Sequence, residues 1–144
     1  MSDLPYSKEV LRLAAEAAGV GRLAPPCRSH TEHNPACGDR CTVDVRIEDG
    51  RIAAVAHDTR ACVLTQASAS ILGTALAGHT RGDVDLLRDA VQTMLNGGPA
   101  PQEPFARYRH LADVAAHPGR YRCVLLPIDA ALKAMEASDA GEPS

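Results

Sequence analysis

The chain has no tryptophan and few other aromatic residues, which make up 3% of its 144 residues. Proteins that bind nucleic acids commonly stack bases on aromatic side chains and present a basic surface to the phosphates. This chain has a net charge of −3 and an isoelectric point near 6.0, so it offers neither feature. We therefore do not expect a nucleic acid partner. The aromatic residues are Tyr6, Phe105, Tyr108 and Tyr121.

Long apolar runs are also missing. No stretch approaches the roughly 18–20 apolar residues of a membrane-spanning helix. The first residues, Met1–Pro5, lack the basic and then apolar pattern of a secretory signal peptide. We therefore expect no membrane partner and a cytoplasmic location. With 45% hydrophobic residues at this length, we expect one domain over residues 1–144.

The chain contains five cysteines, an odd number. In a reducing compartment, thiols are buried side chains, metal ligands or nucleophiles more often than partners in disulfides. For any one of them, a small buried hydrophobic side chain is the ordinary interpretation, and for Cys27 we keep that interpretation. The cysteines are Cys27, Cys37, Cys41, Cys62 and Cys123.

A β-hairpin is predicted in the middle of the chain. Apolar and polar residues alternate over 42–47, and β-branched residues return after the dipeptide Asp49-Gly50. Asp-Gly between two such runs is a strong hairpin signal, because both turn residues tolerate positive φ. The alternation predicts that Val43 faces the core and that Asp44 points to solvent. A further extended segment is predicted around 28–32.

Helical patterns follow from apolar residues that recur every three or four positions. Thr80 and Asp83 predict a near capping box at the start of one helix. Pro127 is predicted either in the first turn of the last helix or at a kink in it. Strands early and helices late indicate an α+β fold, with a small antiparallel sheet of about three strands and helices packed on one face. The predicted helices cover residues 7–18, 62–78, 80–95, a short segment at 105–115, and a last element from 120 onward.

Four residues could form a metal site. Cys37 and Asp39 are two positions apart, so in an extended stretch their side chains share a face, and Gly38 between them permits close backbone approach. Cys62 and Cys123 lie near predicted helix starts, where the helix dipole favours a thiolate. Spacing alone leaves two interpretations open, structural thiols and a site of three cysteines with one aspartate.

Three segments of the chain resemble the three cysteine blocks of the U-type iron–sulfur cluster assembly proteins, the family of IscU, SufU and the N-terminal domain of NifU. They occur in the family order, within a resemblance from Ser7 to Glu136. It implies an α+β fold of the SufU/IscU type and a metal site. The segments are 34–39 (Asn-Pro-Ala-Cys-Gly-Asp), 61–70 and 118–127, and the implied ligands are Cys37, Asp39, Cys62 and Cys123.

The resemblance is closest to the SufU branch. The long interval between Cys62 and Cys123 resembles an insertion that IscU proteins lack, Arg122 stands where they carry a histidine, and their Leu-Pro-Pro-Val-Lys segment is absent. The run from Asp58 to Ala61 departs from the family, because it lacks the glycines usual before the second cysteine. The SufU resemblance implies a Zn²⁺-bound protein that accepts persulfide sulfur from a PLP-dependent cysteine desulfurase of the SufS type. Downstream partners would be iron–sulfur acceptor or scaffold proteins.

Residue roles follow from this resemblance as hypotheses. Cys123 is the expected persulfide acceptor. Zinc with three thiolates and a carboxylate has a formal charge of −2, so Arg60, Arg120 and Arg122 are candidates for balancing that charge or docking the desulfurase. Cys41 is a buried strand residue or, as the alternative, a spare ligand.

Two other functions stay open. The chain could be an IscU-like scaffold on which a transient [2Fe-2S] or [4Fe-4S] cluster is built. It could also be a zinc-stabilised structural or regulatory module without sulfur transfer. In the SufU-like interpretation we expect a sulfurtransferase-like acceptor and desulfurase activator rather than a free-standing enzyme.

Overall fold

The structure, a computed structural model, describes residues 6–35 and 38–137. It consists of a three-stranded sheet and four α-helices, with 3-10 segments before the last helix. In chain order the elements are α1 (Lys8–Glu16), β1 (Arg28–Asn34), β2 (Asp39–Glu48), β3 (Arg51–Arg60), α2 (Val63–Ala75), α3 (Arg81–Leu95), the 3-10 segments Ala106–Ala116 and Pro118–Arg120, and α4 (Tyr121–Glu136).

The sheet has the order β1-β2-β3 with antiparallel neighbours. The predicted hairpin is present: Asp49 and Gly50 form the turn between β2 and β3, with φ of 54° and 77°. Both values lie in the left-handed region that a two-residue hairpin turn requires. The turn therefore pairs Glu48 with Arg51, and the register between β2 and β3 shifts between Arg46 and Ile47.

Local side-chain bonds define the starts of two helices. The Ser7 hydroxyl accepts a hydrogen bond from the Val10 N–H at 3.2 Å, which caps α1. At α3, the Thr80 hydroxyl accepts from the Asp83 N–H, and the Asp83 carboxylate accepts from the Thr80 N–H. The predicted capping box is thus present, and both bonds satisfy amide groups that a helix leaves without internal partners.

The helices pack on one face of the sheet, as the sequence predicts. α4 lies across β1 and β2, α2 packs beside α4 and β3, and α1 and α3 form the outer layer. The chain just after α1 approaches α2 closely at Gly73, where a Cβ atom would lie 2.0 Å from the Ala18 carbonyl oxygen. Among the described residues, we find no helix with the length and apolar character needed to cross a membrane.

The segment predicted as a short helix at 105–115 adopts 3-10 geometry over Ala106–Ala116. Its buried residues Tyr108, Leu111 and Val114 are three positions apart. A 3-10 helix has three residues per turn, so this spacing places all three on one face toward the core. The interval of three fits this geometry better than the mixed intervals of an α-helix.

The prediction for Asp44 is wrong, because its side chain is 1% exposed. Residues 22–24 cross the outer face of the sheet and cover the Asp44 side chain. Arg22 Nε donates to Asp44 Oδ2 at 2.8 Å, and the Leu23 N–H donates to the same oxygen at 3.0 Å. Burial alone would raise the pKa of Asp44, but hydrogen bonds from Arg22, Ser29 and Leu23 outweigh it and lower that pKa.

Candidate metal centre

Three predicted ligands meet where β2, α2 and α4 begin. Asp39 is the first residue of β2, Cys62 directly precedes α2, and Cys123 lies in the first turn of α4. One ligand atom from each residue lies within 4.8 Å of the other two. Asp39 and Cys62 are half-buried, whereas Cys123 is 3% exposed. We call this group the thiol–carboxylate cluster.

Cys62 joins two of these elements. It is the N-cap residue of α2, with φ of −67° and ψ of 169°. Its backbone N–H donates to Asp39 Oδ2 at 3.4 Å, so the carboxylate sits at the N-terminus of α2. That end of the helix has partial positive charge and favours anionic groups. The strand-to-helix junction therefore holds the carboxylate beside the thiol.

The surroundings of the Cys62 thiol lower its pKa. Its hydrogen bond with Cys123 is the largest influence, and a hydrogen bond with the Thr65 backbone lowers the pKa further. Burial and the negative charge of Asp39 act in the opposite direction. The net effect brings the pKa of Cys62 from 9.0 to about 6. A thiolate is the form in which cysteine binds metals and attacks sulfur.

Hydroxyl groups of α2 hold the start of α4. Thr65 Oγ1 donates to the Cys123 carbonyl oxygen at 2.9 Å. One turn later, Ser68 Oγ donates to the Val124 carbonyl at 2.7 Å and contacts the Tyr108 hydroxyl at 2.8 Å. Thr65, Ser68 and Tyr108 are fully buried. Thr65 was not predicted as a site residue, although it lies three residues after Cys62, about one helical turn away.

The three predicted arginines have different surroundings. Arg120 Nη1 donates to the Tyr6 hydroxyl at 3.2 Å, and its pKa is raised first by Tyr6 and further by Cys123 and Cys62. The two thiols of the cluster thus act electrostatically on Arg120. Arg60 is exposed at the end of β3, 3.9 Å from Asp58.

Arg122 is directed toward β1. Its Nη2 donates to the His33 carbonyl at 3.2 Å and lies 3.5 Å from Glu32 Oε2. Lys133 Nζ donates to both Glu32 oxygens at 3.1 Å. Burial would raise the pKa of Glu32, but hydrogen bonds from His30 and Lys133 outweigh it and lower that pKa. Glu32 thus ties α4 to β1, and no local sequence pattern indicated this.

The remaining cysteines lie elsewhere. Cys37 is outside the described residues. Cys41 is fully buried in the core, where its Sγ lies 3.3 Å from Thr59 Oγ1, and burial raises its pKa to about 11. The structure does not bring Cys41 into the thiol–carboxylate cluster. Cys27 is buried next to the Leu23 carbonyl, in line with the ordinary interpretation.

The donor set fits a tetrahedral zinc ion. Zinc binds thiolate sulfur at about 2.3 Å and carboxylate oxygen at about 2.0–2.2 Å, so ligand atoms on one ion are roughly 3.5–4 Å apart. The separations within the cluster lie below 4.8 Å, which needs only small side-chain adjustments. Cys37 is two residues from Asp39, and two residues of extended chain span at most about 7 Å. Cys37 lies outside the described residues, so its role as a fourth ligand stays a prediction from the sequence.

Sequence comparisons agree with the resemblance described above. Residues 5–119 match the family model described as the NifU-like N terminal domain. The chain is 25% identical over 121 residues to the iron-sulfur cluster assembly scaffold protein IscU of Thermotoga maritima, covering 84% of this chain and 85% of that protein. It is 29% identical over 107 residues to the protein of the same name from Streptococcus pyogenes, covering 74% and 67%.

Solved structures with the same fold include the N-terminal part of a NifU-like protein from Brucella abortus. That structure has a TM-score of 0.84 and 32% identity, covering 91% of this chain and 92% of that one. A protein from Fervidobacterium islandicum, described as a scaffold for the SUF system, has a TM-score of 0.80 at 21% identity, covering 92% and 97%. The second likeness concerns the fold alone. The chain belongs to the NifU-like N-terminal domain family, the U-type family of iron–sulfur cluster assembly proteins.

Proposed function

We propose that this chain is an iron–sulfur cluster assembly protein that accepts sulfur at a metal site, in the manner expected of the SufU branch. The observation that supports it most directly is the thiol–carboxylate cluster, in which Asp39, Cys62 and Cys123 converge from three elements. Its relatives from Thermotoga maritima and Streptococcus pyogenes are named as assembly scaffolds. The proposal places the protein in the cytoplasm and treats residues 1–144 as one working domain.

The proposed ligands are Cys37, Asp39, Cys62 and Cys123. Zinc, when bound, keeps thiolates deprotonated and shielded from oxidation at neutral pH. The chain's own contribution is positional: the N-terminus of α2 receives the Asp39 carboxylate through the Cys62 N–H. The positive charge of Arg120 offsets part of the site's negative charge. The pKa of Arg120 is raised first by Tyr6 and further by Cys123 and Cys62.

Sulfur transfer is proposed to occur at Cys123. Its thiolate attacks the outer sulfur of a persulfide on a PLP-dependent cysteine desulfurase. The S–S bond of the desulfurase persulfide breaks as a new S–S bond forms on Cys123. The electron pair leaves with the desulfurase cysteine as a thiolate, so the exchange is neither an oxidation nor a reduction overall. The chain then hands the sulfur to downstream acceptor or scaffold proteins.

The burial of Cys123 sets a condition on this step. Cys123 is 3% exposed, whereas Cys62 is half-buried at the surface. The desulfurase must therefore gain access to Cys123 by moving the start of α4 or its neighbours. Arg60 and Arg122 are exposed, two residues before Cys62 and directly before Cys123, and they are the proposed docking contacts.

The test is persulfide formation with a purified cysteine desulfurase and cysteine, read by thiol alkylation and mass spectrometry. We expect persulfide on Cys123 in the unaltered chain, its loss in Cys123→Ala with part of the metal retained, and stimulated desulfurase turnover by the unaltered chain. Cys27→Ala is the matched control, because Cys27 is also buried but lies away from the cluster. Full acceptance by Cys123→Ala would refute the assignment.

A scaffold function is the second candidate, and the relatives' names favour it. The same ligands would then hold a transient iron–sulfur cluster as cargo. Asp39→Ala tests the carboxylate in both functions, because we expect it to change zinc retention or prolong the life of a bound cluster. A zinc-stabilised module without transfer would bind metal but leave desulfurase turnover unchanged.

A further inference from the structure

Pro127 changes which group can bind the Cys123 carbonyl. In an α-helix the N–H of residue i donates to the carbonyl of residue i−4, so residue 127 would donate to Cys123. Pro127 lies inside α4 and has no N–H. Thr65 Oγ1 donates to the Cys123 carbonyl from α2 instead, at 2.9 Å. A group of the neighbouring helix thus takes the position of the missing helical donor.

The same threonine also contacts the other thiol. Thr65 Oγ1 lies 3.6 Å from Cys62 Sγ, and the Thr65 backbone also hydrogen-bonds to that sulfur. Thr65 has no exposed surface. One buried side chain therefore touches both cysteines of the cluster, one through its sulfur and the other through its carbonyl oxygen.

A second hydroxyl bond reinforces this arrangement, one turn further along α2 and at the next residue of α4. Ser68 Oγ donates to the Val124 carbonyl at 2.7 Å, and Tyr108 contacts the Ser68 hydroxyl at 2.8 Å. Two consecutive carbonyls of α4 are thus bonded to hydroxyls three residues apart on α2. Sliding α4 along α2 would break both bonds.

We propose that Thr65 is a positioning residue for the metal site: through the Cys123 carbonyl, made available by Pro127, it sets the separation of Cys62 and Cys123. The inference rests on the proposed metal site. The further point is that the protein itself holds Cys62 and Cys123 at the separation of two ligands on one metal ion before any metal binds. Groups that orient metal ligands in this way typically contribute about 10- to 100-fold to metal affinity.

The first test uses Co²⁺ alone, whose absorption bands report thiolate ligands and tetrahedral geometry. Thr65→Val keeps the shape of the side chain but removes the hydroxyl, and we expect it to weaken Co²⁺ binding about tenfold. Thr65→Ser keeps the hydroxyl and should restore affinity. Thr74→Val is the matched control, because Thr74 on the same helix donates only to the Ser70 carbonyl. Equal affinity in Thr65→Val and the unaltered chain would overturn the proposal.

The second test separates positioning from general stability. Pro127→Ala supplies an N–H that can donate to the Cys123 carbonyl, so the loss caused by Thr65→Val should shrink in this background. The same loss in both backgrounds would show that the Cys123 carbonyl is not the route. Unfolding by denaturant is measured on each variant, so that a change in folding is not read as a change in affinity.

A third measurement distinguishes failure of this inference from failure of the proposed function. In metal-free protein carrying Cys37→Ser, glutathione buffers set the equilibrium between the two thiols and a Cys62–Cys123 disulfide, with oxidised glutathione as the oxidant. The disulfide fraction is read by peptide mapping and gives the effective concentration of the Cys62 and Cys123 thiols. We expect this concentration to be about tenfold lower in Thr65→Val, in line with the change in Co²⁺ affinity. If the unaltered chain binds no Co²⁺, the proposed metal site is wrong, and the disulfide equilibrium alone then decides the role of Thr65. An equilibrium that is the same in Thr65→Val and the unaltered chain would overturn that role.

Discussion

Replacing Asp44 tests the ion pair on the outer face of the sheet, in which the carboxylate is buried and the arginine is partly exposed. Its carboxylate accepts from Arg22 Nε at 2.8 Å, Arg22 Nη2 at 3.2 Å, Ser29 Oγ at 2.6 Å and the Leu23 N–H at 3.0 Å. Breaking a fully buried pair costs about 3–5 kcal/mol. The Arg22 side chain is 57% exposed and can return to water. We therefore expect Asp44→Ala to lower the free energy of unfolding by about 3 kcal/mol, toward the bottom of that range.

The stabilisation contributed by Asp44 should decrease as the pH falls. The pKa of Asp44 is lowered in the folded state, so its contribution is fully present above the unfolded pKa of about 3.9 and is lost as the pH falls through the folded pKa. Urea unfolding at several pH values should show the full gap between the unaltered chain and Asp44→Ala at pH 7. The gap should narrow below about pH 4. A difference in unfolding free energy under about 1 kcal/mol at pH 7 would refute the reasoning. A difference that stays constant as the pH falls into the acid range would refute it as well.

Three further predictions concern other parts of the fold. Gly73→Ala should destabilise the fold by more than about 2 kcal/mol, because its Cβ would lie 2.0 Å from a carbonyl oxygen of the chain between α1 and β1. Gly82→Ala is the control, because its Cβ would make only an ordinary contact, 3.7 Å from Thr80 Oγ1, and it should be neutral or stabilising in the same denaturant assay. Tyr108→Phe removes a buried hydroxyl bonded to Ser68 and should cost about 1 kcal/mol by thermal unfolding, and a loss near zero would contradict the assigned bond. Cys41 is fully buried, so iodoacetamide should modify it only after unfolding; rapid labelling in the native protein, by mass spectrometry, would contradict its place in the core.

Local structure was predictable because its signals lie within a few residues. The Asp49-Gly50 turn and the Thr80–Asp83 capping box each depend on neighbours in the chain, and both are present. The short helix predicted at 105–115 is also present, and it has 3-10 geometry. The interval of three between Tyr108 and Leu111, already visible in the sequence, fits that geometry.

Contacts between distant segments could not be read from local patterns. Asp44 occupies an outward position of β2, and only the path of residues 22–24 across the sheet buries it. Glu32 is held by Lys133 from 101 residues away. Convergence of Cys62 with Cys123 depends in the same way on how α4 packs against α2. For that pair the family resemblance was informative, whereas spacing alone was not.

Metal and sulfide content of anaerobically purified protein tests the central claim most directly. We predict about one zinc per chain with no acid-labile sulfide, as expected for one tetrahedral site. Zinc should fall in Cys62→Ala and stay unchanged in Cys27→Ala. Iron with matching sulfide would instead support the scaffold function of the same cluster. Protein that binds no metal when folded, or retains zinc fully in Cys62→Ala, would contradict the account.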